Sequence, residues 1–180
     1  MTEVGSHVRD SESPRPPSLS LQQSTVPTRP IMNAPMQPFR LSRKLPPKLA
    51  GVHHYWKSLI RAENTMPFSD DVDLSALKRY SDNLLLVDII FGRFRFNYLG
   101  HKIIAKFSAD IRGRFADELA LHAPFNYFMA QASATLEAAA PTLYSSRPAN
   151  LKKRLLAGYC RILLPAWGNG RVELLLGAIV

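Results

Sequence analysis

Five side chains carry most of the chemistry this sequence offers: Asp88, Arg95, Asn97, Arg161 and Glu173. All lie in β-rich apolar runs, where a charge or an amide is costly unless it has a partner or a task. Leu84–Phe91 and Phe94–Leu99 flank the pair Gly92-Arg93, which reads as a two-residue hairpin turn. Such a turn pairs Phe91 with Phe94 and sets Asp88 opposite Asn97 and Ile90 opposite Arg95. Asp88, Arg95 and Asn97 then share a face with Leu84, Leu86 and Leu99, while Val87, Ile89, Phe91, Phe94, Phe96 and Tyr98 form an apolar face. Two readings of the polar set stand open. It orients a small ligand in a mostly apolar cavity, or it is an ion-paired sheet face wetted by solvent. Arg161 and Glu173, on neighbouring strands, invite the same two readings.

The remaining reactive residues offer less. His53 and His54 are adjacent and point apart on a helix, and His101 has no partner at metal-ligand spacing. His122 sits beside Pro124 at a helix start, facing solvent, which argues against haem ligation. Cys160 is the single cysteine, so no intrachain disulfide forms, and its place in a strand suits a small apolar residue. A flavin adduct would need a cysteine on the helix after the second strand, and none is there. Phosphate loops, His-Glu metal helices and nucleophile elbows are likewise missing. The catalytic alternative is a cone-shaped α+β isomerase or dehydratase using Asp88 as general base.

Elements that could position these residues follow from periodicity. Leu49, Val52, Trp56, Leu59 and Ile60 recur at helical spacing in 48–63, an amphipathic helix that must dock on something. Trp56, Leu59 and Ile60 are the expected interface, covering the sheet of this chain or of a second copy. A capped turn is read at 71–80, a short helix at 102–107 and the main helix at 122–140. Strands are read at 142–146, 154–164 and 172–180, the last two joined across Trp167-Gly168-Asn169-Gly170. Five strands with helices between the second and third give an α+β domain with one antiparallel sheet and helices on one face.

Composition divides the chain near residue 50. The first 50 residues hold nine of the 14 prolines and one aromatic, Phe39. A segment so poor in apolar surface cannot offset its ordering entropy, so 1–47 reads as a disordered leader and 48–180 as the domain. The net charge of +9 splits into +4 before residue 50 and +5 after it. Spread in this way it argues against nucleic acid as a partner. No run of about 18 apolar residues and no signal pattern occurs, so the expected location is the cytoplasm, without a membrane span.

The order of elements and several short motifs resemble the PAS domain. The motifs resemble in particular a proteobacterial group of small, often single-domain PAS proteins formerly of unknown function. The matching pieces are His54-Tyr-Trp-Lys-Ser-Leu59, Asp71-Val-Asp73, Asn83-Leu-Leu-Leu-Val-Asp88 and Gly92-Arg-Phe-Arg-Phe96 with Tyr98-Leu-Gly100. Further along come Asp110-Ile-Arg-Gly113, Leu163-Leu-Pro165 and Leu174-Leu-Leu-Gly177. The sequence departs from the group at Leu74, where a proline is usual, and at Asn97, where an arginine is usual. The resemblance implies a non-catalytic sensory or regulatory module that signals by dimerisation or by binding a signalling protein, with or without a small ligand in its cavity. It names no cofactor, because the fold hosts several or none. No output domain is expected after the fifth strand.

Overall fold

The computed structural model describes residues 39–106, 110–146 and 158–180. Helix α1 spans Pro47–Ser58, followed by 3-10 turns at Ser69–Asp71 and Leu74–Asn83. Strands β1 (Leu84–Ile90) and β2 (Arg93–Leu99) form the first hairpin. Short helix α2 (His101–Ile104), a turn at Ala116–Glu118 and helix α3 (Phe128–Ala138) come next. Strands β3 (Thr142–Ser145), β4 (Cys160–Gly168) and β5 (Arg171–Ile179) complete an open antiparallel sheet of order β2-β1-β5-β4-β3. Among the described residues no helix is long and apolar enough to cross a membrane.

Burial of β4 is continuous from Cys160 to Ala166, and that of β5 from Leu174 to Ile179. Alternate side chains of a strand point to opposite faces, so an unbroken buried run needs cover on both. Here α3 packs on β3 and β4 from one side, facing Arg161, Leu163 and Leu175, and α1 packs on β4 and β5. Ile162, Leu164, Leu176 and Ala178 alternate with that set and meet α1. Helices therefore cover both faces, where the sequence suggested one. Pro47 starts α1 at its first turn, where the missing N–H costs nothing, and Leu49, Val52 and Trp56 are buried along one stripe. Trp56 is 3% exposed, and its indole N–H donates to the Pro165 carbonyl at 2.7 Å.

Both sheet edges are closed by short pairings, which protects the unpaired backbone of an edge strand. Along β2, Phe96 N–H donates to Arg114 O at 3.0 Å and Gly113 N–H to Phe96 O at 2.6 Å. Along β3, Leu143 N–H donates to Phe39 O at 3.0 Å. Phe39 is buried, and Leu41 and Leu45 pack on the core. Residues 39–47, assigned by composition to the leader, thus belong to the packed domain; 1–38 lie outside the described residues.

Other boundaries shift for identifiable reasons. The expected 48–63 helix ends at Ser58, and the expected 122–140 helix starts at Phe128. Proline disfavours helical geometry in the residue before it, so Ala123 cannot be helical, and Tyr127 enters α3 with a φ of 56°. The first hairpin turns at Phe91-Gly92, with φ of 50° and 77°, and not at Gly92-Arg93. That shifts the register by two residues and pairs Asp88 with Arg95. A bulge opposite Leu86 and Val87 then carries Tyr98 to the Asp88 face and Leu99 to the other. Of the start expected for the strand at 154, residues 154–157 lie outside the described residues.

Trp56→Phe keeps the ring in place but leaves the buried Pro165 carbonyl without its donor. The variant is expected to lose about 1–3 kcal/mol of stability in urea denaturation.

Candidate functional site

On the face away from α3, the shortened register sets Arg95 directly across from Asp88. The Asp88 carboxylate accepts from Arg95 Nη2 at 2.7 Å and Nε at 3.2 Å, and from Asn97 Nδ2 at 3.0 and 3.1 Å. Arg95 keeps 41% of its side chain in solvent and Asp88 18%. Glu173 reaches the same face through a second bulge, at Ala166/Trp167, where the pairing jumps from Leu174 to Val172. Ser69 Oγ donates to Glu173 Oε1 at 2.5 Å and Asn169 Nδ2 to Oε2 at 2.7 Å. These bonds, Ser69 first, hold the Glu173 carboxyl below the usual range and keep it ionised. Asp88, Arg95 and Glu173 therefore come together, with Arg171, around an open groove of about 450 Å³ that Leu86 and Leu174 also line, and Asn97 joins through its bond to Asp88.

Arg161 is not part of that group. It points to the opposite face and is fully buried against α3. Its Nε donates to Gln131 Oε1 at 2.7 Å, Nη1 to Pro124 O at 2.7 Å and Nη2 to Asn126 O at 3.1 Å. The rings of Tyr144, Phe128 and Phe125 lie 5.2, 5.3 and 5.9 Å from the guanidinium. Among the described residues it forms no ion pair with a carboxylate. Burial pulls its pKa down to about 10, against the upward pull of the Tyr159 and Tyr144 hydroxyls, so it remains a cation at neutral pH. Beside it, the Tyr159 hydroxyl is buried and, among the described residues, has no partner at hydrogen-bond distance, and burial raises its pKa. Gln131 is itself buried and donates to Thr142 Oγ1 at 3.1 Å and Arg161 O at 3.2 Å. An alanine-rich helix gives no hint of this amide; one glutamine in an otherwise small and apolar stretch is its only trace.

The β1-β2 and β4-β5 turns lie at one end of the sheet, because β1 runs antiparallel to β5 with Asp88 opposite Leu174. Three large apolar side chains stay exposed there: Phe91 at 91%, Phe68 at 41% and Trp167 at 38%. Trp167 N–H donates to Pro67 O at 2.8 Å, which ties the Phe68 segment to the tip of β4. Sequence reasoning missed Phe68, Ser69 and Asp70 as site residues, since only contacts distant in sequence place them beside Glu173.

Of the expected interface residues, Trp56 is committed to its own sheet, so it is not available to a partner. Ile60 is half-buried against the same core and Leu59 is half-exposed at the end of α1. His53 stacks on Trp56 at 6.0 Å, and burial lowers its pKa. Cys160 is buried, its thiol 3.4 Å from Ser145 Oγ. Among the described residues no three His, Cys, Asp or Glu side chains are grouped to hold a metal.

Gln131→Leu leaves the buried Nε of Arg161 without its acceptor and the Thr142 hydroxyl with Thr135 alone. It is expected to cost about 1–3 kcal/mol in chemical denaturation. Comparison with known proteins returned no matching family model, curated protein or solved structure.

Proposed function

We propose that this chain is a non-catalytic PAS-type sensory or regulatory module that acts by binding a partner protein or a second copy through its surface. One observation carries the reading. The space between sheet and α3 is filled by side chains, while three of the four large aromatics exposed among the described residues, Phe91, Phe68 and Trp167, gather at one end of the sheet; the fourth, Tyr127, lies apart from them beside Tyr144. Phe94, Phe96, Phe125 and Phe128 pack between sheet and α3 with ring centroids 5.0 to 6.2 Å apart. Phe91, Phe68 and Trp167 then supply the rigid apolar area that protein interfaces favour. The order of elements, with helices inserted between the second and third strands, supports the PAS resemblance. The isomerase alternative gains nothing, because the Asp88 carboxylate is engaged by Arg95 and Asn97 at the surface.

A second reading, a receptor for a small anion, is favoured by Arg161. Its guanidinium is buried without a described carboxylate, and an anion would bind there by displacing the Gln131, Pro124 and Asn126 oxygens that accept from it. Native mass spectrometry of protein from its source cells checks this. A retained mass lost in Arg161→Met supports the receptor, and a bare chain in both removes it.

The partner reading is tested by placing a photo-crosslinking amino acid at position 91 or at the distant position 82 in the source cells. Covalent adducts, with another protein or a second copy, are expected from position 91 alone. Adducts from neither site, with a monomer in sedimentation, contradict it.

A further inference from the structure

The turn end of the sheet carries two hollows that share Phe68 and Trp167 as their common wall. One, of about 340 Å³, is lined by Met66, Thr65 and Ala139 beside those rings. The other, of about 470 Å³, holds Asp70, Asp71 and Glu173 together with Arg61. Charge here runs against the rest of the molecule, which carries +9 overall. Arg61 neutralises one oxygen of Asp71, to which it donates at 2.5 Å. The second Asp71 oxygen is buried and has no partner among the described residues. Among the described residues Glu173 is hydrogen-bonded by the neutral Ser69 and Asn169 side chains, with the Arg171 cation nearby and making no ion pair with it, and Asp70 is exposed. An apolar hollow thus borders a surplus of negative charge across a pair of aromatic walls.

We propose that this end of the sheet is a docking site for a basic segment of a partner protein. One arginine or lysine of that segment would enter the Asp70–Glu173 hollow, and an apolar neighbour would fill the hollow lined by Met66. The inference rests on the partner-binding reading above and specifies its partner's chemistry. Long cationic side chains suit the site because their alkyl stems lie along apolar surface while the head reaches a carboxylate. The faces of Phe68 and Trp167 add attraction for the cation itself. Charge complementarity then sets which partner is accepted and how fast it arrives.

The probe is a fluorescein-labelled peptide of about ten residues alternating leucine and arginine, with a leucine-glutamate peptide as control, read by anisotropy against the full chain. The basic peptide is expected to bind, to weaken with added salt, and to change the emission of Trp167 and not that of buried Trp56. The near-isosteric double variant Asp70→Asn/Glu173→Gln is expected to weaken binding about tenfold or more, and Asp82→Asn, at the other end of the sheet, to leave it unchanged. Trp167→Phe should abolish the emission change, a readout independent of affinity. Equal binding of both peptides, an unaffected double variant, or loss in Asp82→Asn overturns the proposal. So does self-association that the double variant abolishes in the absence of peptide binding, which assigns the groove to a second copy. Absence of peptide binding alongside position-91 adducts removes this inference and leaves the partner reading in place.

Discussion

Strands β4 and β5 are apolar on both faces, and the rest of the architecture answers that constraint. A sheet with one wet face could be covered by α3 alone. Here Ile162, Leu164, Leu176 and Ala178 would remain in water without α1. Burying a side chain of that size is worth about 1.5–3 kcal/mol, so docking of the first helix on its own sheet is strongly favoured. The Trp56 hydrogen bond to Pro165 fixes where it docks.

That docking also decides where function can reside. With α1 on one face and α3 on the other, and with both edges paired by Phe39 and by Gly113–Arg114, little of the sheet is left for a partner. The turn end is the exception. There the two bulges, beside Asn97 and at Glu173, swing polar side chains onto the open part of the outer face. The inner face holds a different kind of polar group. Arg161 links β4 to the chain entering α3 through carbonyls of Pro124 and Asn126, and among the described residues its charge is met by dipoles and rings. Buried groups of this sort cost stability unless their donors are met, and Arg161, Gln131, Thr135 and Thr142 meet this cost by bonding within one buried polar cluster and to carbonyls of the chain entering α3.

Much of the sheet was legible in the sequence, because alternation and apolar runs report local geometry. All five strands were expected, as was the antiparallel pairing of the first two and the turn near Asn169-Gly170. The face shared by Asp88, Arg95 and Asn97 also survived, since a register error of two residues preserves side-chain parity. What failed was non-local. Phe91 is a non-glycine residue at positive φ, which composition disfavours, so the turn was set one residue late. Bulges leave no sequence signature; one moved Leu99 and Tyr98 from their expected faces, and the other set the face of Glu173. Proline-rich composition hid Phe39, whose burial depends on β3 more than a hundred residues away. The separation of Arg161 from the other four polar residues followed from the pairing register of β4 with β5, which puts it on the opposite face and which periodicity within one strand does not encode.

The whole architecture depends on α1 being closed over its own sheet. In a Trp167→Phe chain, Trp56 is the only tryptophan, and acrylamide quenching of its emission reports that closure directly. Quenching should be weak and identical from nanomolar to high micromolar protein, as expected of an indole buried within one chain. A Trp56 that becomes accessible on dilution would show that a second copy supplies the cover, and would contradict that closure.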